Sequence, residues 1–115
     1  MKVFAIALAV LAGTGVSAFA TEPQVGRWAV DSEHCGGAGD TRHSAPLTVT
    51  PTSLRWAEET CTIGKMYKAE RALYIEGRCS NRDGAMVRHA IKLAMKGERL
   101  AVTWNGEQTE LRRCR

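Results

Sequence analysis

Apolar and polar residues alternate over long stretches of this chain, most regularly between residues 86 and 96. A period of two is typical of a β-strand with one buried and one solvent-exposed face. We expect the histidine on the apolar face of this predicted strand to be partly buried and hydrogen-bonded rather than a catalytic base. The apolar face over residues 86–96 consists of Val87, His89, Ile91, Leu93 and Met95.

Shorter alternating or apolar stretches predict seven more strands, over residues 26–30, 46–50, 54–58, 61–68, 73–79 and 100–104 and in a return segment containing Leu111. Asn105-Gly106 is the most favourable two-residue hairpin turn in the chain, and Asp83-Gly84 predicts a turn before residue 86. About eight short strands joined by tight turns indicate an all-β domain, an antiparallel meander that closes into a barrel or a compact sandwich.

The N-terminus has the pattern of a cleavable secretory signal peptide. Lys2 precedes an apolar run over residues 3–12, and Ala18-Phe19-Ala20 is the small-x-small pattern that signal peptidase accepts. The run is too short to span a bilayer, which takes about 20 residues; the alternative is a buried N-terminal helix. We therefore expect residues 1–20 to be removed and residues 21–115 to form one domain without a membrane span. The expected location is the periplasm, with secretion as the second choice.

The four cysteines, Cys35, Cys61, Cys79 and Cys114, all lie in the expected mature domain. An even number of cysteines in a small exported domain predicts two disulfides, whereas a zinc site would favour closely spaced pairs. Sequence alone leaves three pairings open. A hairpin turn over residues 69–71 would place Cys61 opposite Cys79 on neighbouring strands, which favours that bridge and a second one from Cys35 to Cys114.

The charge balance is mildly basic, with 16 Lys and Arg against 12 Asp and Glu. Removal of Lys2 with the signal peptide leaves a net charge of +3. Such a small excess in an exported protein does not indicate nucleic acid as a partner. Two groups of cations would either contact an anionic partner or simply be solvated: Arg88, Lys92 and Lys96 on the polar face of one predicted strand, and Arg112, Arg113 and Arg115 at the C-terminus.

A glycine-rich segment over residues 31–46 contains several potential metal ligands, namely Asp31, Glu33, His34, Asp40 and His43. Their spacing is not diagnostic, and polar turns select glycine and aspartate without any metal. We therefore expect no metal and no cofactor.

Neither an active site nor an aromatic ligand platform is indicated by the remaining residues. Glu58 and Glu59 are adjacent carboxylates, but neighbours on a strand point to opposite faces. Together with the lack of a nucleophile or phosphate-loop motif, this favours a binding protein over an enzyme. Trp28, Trp56 and Trp104 are interpreted as core residues because Trp56 and Trp104 lie in phase with apolar neighbours.

Around Cys61, residues 60–67 read TCTIGKMY. This segment resembles the small exported bacterial inhibitors of lysozyme and related peptidoglycan hydrolases, in which a loop with Ser, Gly, a basic residue and Tyr enters the enzyme's cleft. The resemblance implies partner contacts by Thr62, Gly64, Lys65 and Tyr67, with threonine in place of the serine.

The resemblance and the two groups of cations lead to two hypotheses about function. The first is a periplasmic inhibitor of peptidoglycan hydrolases of the lysozyme type that blocks the glycan cleft with a rigid loop. The alternative is a non-enzymatic binding module for an anionic cell-envelope polymer. It would use Arg88, Lys92, Lys96, Arg112 and Arg113.

Overall fold

The computed structural model describes residues 22–37, 41–81 and 83–115. The predicted signal peptide and Asp40 lie outside these ranges. The described residues form eight strands and one short 3-10 helix, Ser32–His34, between the first two strands. The strands are β1 (Gly26–Ala29), β2 (Leu47–Val49), β3 (Ser53–Trp56), β4 (Glu59–Ala69), β5 (Ala72–Ser80), β6 (Met86–Lys96), β7 (Arg99–Trp104) and β8 (Glu107–Arg113).

Each strand pairs antiparallel with the next, and β1 also pairs with β8, so the sheet is a closed barrel. The predicted all-β meander is therefore confirmed in its barrel form. Strand β6 has the predicted bounds, and Asn105 and Gly106 turn the chain between β7 and β8 with φ of 53° and 93°. Positive φ at both positions is the geometry that a two-residue hairpin turn requires.

Side chains fill the interior of the barrel. The three tryptophans are fully buried, as expected, and Trp56 and Trp104 pack edge to face with ring centroids 5.4 Å apart. They share the core with aliphatic residues from β2, β3 and β5 to β8, including Leu47, Leu54, Leu73, Ile75, Ile91, Leu93, Leu100, Val102 and Leu111. Because these side chains occupy the interior, a partner must contact the outer surface or the ends of the barrel.

The two disulfides have the expected pairing, Cys61 with Cys79 and Cys35 with Cys114. The register that brings Cys61 opposite Cys79 has two causes. The β4–β5 turn is the two-residue Glu70–Arg71 turn, and a β-bulge shifts the pairing by one residue between Ile63 and Lys65. The bulge compensates for the two-residue turn, so the pairing agrees with the prediction although the turn has a different centre.

Among the described residues, no helix is long and apolar enough to cross a membrane.

Candidate functional site

The segment that resembles an inhibitor's contact loop is not a loop. Thr62, Gly64, Lys65 and Tyr67 all lie within β4, which pairs with β5 along its length. The expectation of an inserted loop was therefore wrong, because the alternation around Cys61 continues as a strand. Gly64 is the extra residue at the bulge, and a Cβ there would lie 3.1 Å from the carbonyl oxygen of Glu76. The bulge thus requires a close approach of the two backbones.

Strands β4, β5 and β6 bring predicted contact residues into three rows on the outer surface. Cross-strand neighbours in such rows are about 5 Å apart, and successive rows on one face are about 7 Å apart. We call this surface the cationic face. Its rows are Thr62 opposite Arg78 opposite Arg88, then Lys65 opposite Glu76 opposite Ala90, then Tyr67 opposite Tyr74 opposite Lys92.

At one end of the cationic face, Tyr67 is 65% exposed although its neighbours hold it in place. Its ring stacks on that of Tyr74, with centroids 5.0 Å apart and an angle of 10° between the planes. The Nζ of Lys92 lies 5.3 Å from the centroid of Tyr74. Stacking and the cation–π contact restrict these side chains before any partner arrives, which lowers the entropic cost of binding.

At the other end, Arg78 and Arg88 lie directly opposite each other. Like charges in such positions are destabilising, and neither guanidinium forms an ion pair with a described residue. Beside them a shallow cavity of about 400 Å³ is lined by the same arginines with Met86 and Val87, which are 68% and 44% exposed. Unpaired arginines next to exposed apolar side chains are typical of a protein-binding surface.

The remaining predicted cations lie elsewhere. Arg112 lines a second basic region, a groove of about 1090 Å³ at the end of the barrel where β8 finishes. Lys96 lies beside this groove, in one cross-strand row with Arg99 and Arg112. We call it the arginine groove; its basic lining residues are Arg99, Arg112, Arg113 and Arg115. Arg113 has a structural role, since its guanidinium lies 4.3 Å from the Trp28 ring centroid and donates to the carbonyls of Pro23 and Val25.

A third polar group closes the opposite end of the barrel, near the β3–β4 and β7–β8 turns. His89 Nε2 lies 2.8 Å from Glu59 Oε2, which confirms the expected hydrogen-bonded histidine. Arg42 lies within 3.3 Å of Glu59 and 3.6 Å of Glu107, and its guanidinium covers the ring of Trp104 at 5.2 Å. Arg42 and His89 thus pair with the negative charge of Glu59, and Arg42 also shields the Trp104 indole from solvent. We interpret this network as stabilising the fold.

Among the residues that the structure describes, the potential metal ligands give no coherent site. In the glycine-rich segment His34 lies 2.8 Å from Asp31, and both are partly exposed. Ligand atoms of Glu59, Cys79 and His89 lie within 4.8 Å of one another, but the sulfur of Cys79 is part of a disulfide. A disulfide sulfur lacks the thiolate charge by which cysteine binds metals.

Sequence reasoning missed Tyr74, Arg78 and Arg99. Tyr74 and Arg78 lie on the polar positions of β5, so the alternation places them outside, but only the register identifies their neighbours.

The fold and the exposed charges define a small closed barrel with two disulfides, a filled interior and two separate cationic surfaces. No protein family, curated protein or solved structure matches this chain.

Proposed function

We propose that this protein is a periplasmic inhibitor of peptidoglycan hydrolases, and that it covers their glycan-cleaving cleft with the cationic face. The observation that carries the proposal is the exposed Tyr67, which stacks on Tyr74 and shares the cationic face with Lys65 on its own strand and Lys92 on β6. Exposed, preorganised tyrosines and arginines dominate the binding energy of many protein interfaces. The role is that of a binding protein and not of an enzyme.

The charges of the cationic face complement a glycosidase cleft. Such clefts carry a pair of catalytic carboxylates. The face offers four cations, Lys65, Arg78, Arg88 and Lys92, against the single carboxylate of Glu76. A carboxylate of an acidic partner would offset the electrostatic repulsion between Arg78 and Arg88. This would make the free energy of binding more favourable.

The β4–β5 hairpin is suited to bind as a rigid surface. The Cys61–Cys79 bridge is buried directly beneath the cationic face, between the two strands that carry most of it. A surface that is already ordered loses little conformational entropy when it binds. The cationic face, which is the outer surface of a sheet, would therefore cover the enzyme's cleft from outside, whereas the sequence predicted that a loop inserts into it.

The target that fits best is a hydrolase of low or negative net charge. With its own net charge of +3 after loss of Lys2, the barrel gains no long-range attraction to a strongly basic lysozyme. The disulfides are consistent with an oxidising compartment, and the periplasm, reached through the predicted signal peptide, is where such a hydrolase would be met.

The proposal predicts that purified residues 21–115 inhibit muramidase activity and that Tyr67→Ala weakens inhibition strongly. Truncation of an aromatic hot spot costs about 2 kcal/mol or more, so the inhibition constant should rise by about 30-fold. Arg78→Ala should act in the same direction. Arg112→Ala removes one positive charge outside the cationic face and should leave the inhibition constant within about threefold.

The measurement is residual hydrolysis of peptidoglycan by a panel of hydrolases that includes a basic lysozyme and an acidic muramidase. Unchanged hydrolysis at a large excess of the barrel over every enzyme would contradict the proposal. Equal effects of Tyr67→Ala and Arg112→Ala would contradict the assignment of the cationic face.

A further inference from the structure

We propose that the arginine groove is a second binding site, independent of the cationic face, and that it binds phosphate groups. The groove has a volume of about 1090 Å³, and four arginines line it together with the turn between β6 and β7. Guanidinium groups recognise phosphate through paired hydrogen bonds and remain charged at any physiological pH.

The register of the barrel concentrates positive charge beside this groove. Lys96 lies opposite Arg99 at the end of the β6–β7 ladder, and Arg99 lies opposite Arg112 on β8. Three cations therefore occupy one row across three strands. Like charges directly opposite each other reduce the stability of a sheet, so this row is unfavourable unless something else compensates it.

The protein compensates these charges only in part. Glu110 lies 3.8 Å from Lys96 and 3.5 Å from Arg99, and Glu98 lines the groove. Within the described part of the chain, Arg112 and Arg115 form no ion pair. Both side chains are exposed and are therefore available to an anionic ligand. That ligand would compete with the carboxylates of Glu98 and Glu110, which favours a phosphate dianion over a single carboxylate.

The end of the barrel that carries the groove is held in place. Cys114 is bridged to Cys35, and its backbone N–H donates to the carbonyl of Arg27 at 2.8 Å. Arg113 is anchored on Trp28 and on the N-terminal segment. The chain around Arg112 is thus fixed before a ligand binds, which reduces the ordering cost.

The arginine groove and the cationic face are far enough apart to act separately. Lys92 of the face and Lys96 beside the groove are four residues apart on β6, which is about 13 Å along a strand. The row between them consists of small residues, Ala72, Ala94 and Ala101. One molecule therefore has room to bind a protein through the face and a phosphorylated envelope component through the groove.

The test uses two probes, because phosphate can come from a soluble polyanion or from a lipid headgroup. Inorganic tripolyphosphate is titrated into residues 21–115 by calorimetry. Co-sedimentation with phosphatidylcholine vesicles is measured with and without phosphatidic acid. The variant Arg112→Gln/Arg115→Gln should weaken binding by about tenfold or more. The control Arg88→Gln/Lys92→Gln removes the same charge from the cationic face and should change binding by less than about threefold.

Loss of binding in the groove variant alone supports the site, and the probe that binds identifies the source of the phosphate. Binding should also weaken as salt rises. Binding of neither probe to the wild-type protein would overturn the proposal, as would an equal loss in the groove variant and in its control. Thermal unfolding of both variants checks that each is folded.

Discussion

Replacing Cys35 and Cys114 together with alanine is expected to lower the free energy of unfolding by about 4.5 kcal/mol. The bridge closes a loop with a sequence separation of 79 residues, and the loss is the chain entropy that such a loop removes from the unfolded state. The bridge also lies at the weakest seam of the barrel. Strand β1 is in register with β8 at only two pairs, Trp28 with Arg113 and Ala29 with Arg112, whereas β4 and β5 share nine.

Denaturant unfolding of the single and double variants measures this effect. Because the bridge is lost once, Cys35→Ala, Cys114→Ala and the double variant should lose nearly the same stability. If the losses of the two single variants instead add up in the double variant, the residues act as independent packed side chains. A loss of less than about 1 kcal/mol would show that the β1–β8 pairing closes the barrel unaided.

Trp104→Ala is expected to cost about 3 to 5 kcal/mol, the usual range for removing a buried tryptophan. The side chain is 1% exposed, packs on Trp56, and lies beneath the guanidinium of Arg42. Its loss leaves a cavity and removes the support for the network of Arg42, Glu59 and His89. For a domain of this size, Tm should fall by more than about 10 °C.

Two variants make this prediction specific. Trp104→Phe keeps most of the packing and removes an indole Nε1 that has no hydrogen-bond partner among the described residues, so it should cost much less than alanine. Tyr67→Ala truncates an exposed ring and should change stability by less than about 1 kcal/mol. If Trp104→Ala melted within a few degrees of the wild type, Trp104 would not be a core residue.

The sequence was sufficient to predict an all-β antiparallel meander with two disulfides, because local signals and the global structure agree. The alternation in β6 and the turn at Asn105-Gly106 both indicate an antiparallel meander, and the Cys61–Cys79 bridge fits neighbouring strands of that meander. A fold can be predicted from a single sequence when local propensities, turn residues and hydrophobic pattern all favour the same structure. Closure into a barrel followed only as one of two options, since the pairing of β1 with β8 depends on contacts far apart in the chain.

The candidate site was less predictable, because neighbours across strands depend on register. A turn centred on Glu70 would place Tyr67 opposite Leu73. The two-residue turn instead places Tyr67 opposite Tyr74, and the bulge at Gly64 restores the pairing of Cys61 with Cys79 further along. One extra residue in a strand changes which side chains lie opposite each other on the neighbouring strand. The sequence around Gly64 does not reveal this bulge, because the bulge is defined by the pairing with β5.

Tertiary contacts also separated cations that the sequence had grouped together. Lys92 contacts Tyr74 on the cationic face, Lys96 contacts Glu110 beside the arginine groove, and Arg113 supports Trp28. Spacing along β6 placed the lysines on one face of the strand, but barrel curvature and neighbouring strands assign them to different surfaces.

Mapping the contact surface would show whether the cationic face binds a peptidoglycan hydrolase. Isotope-labelled residues 21–115 are titrated with an inhibited hydrolase, and backbone amide signals are followed by nuclear magnetic resonance. If the cationic face is the contact surface, the amides of β8 change little and the largest changes occur at Thr62, Lys65, Tyr67, Tyr74, Arg78 and Arg88. Changes confined to β7 and β8, or spread evenly over the barrel, would contradict it.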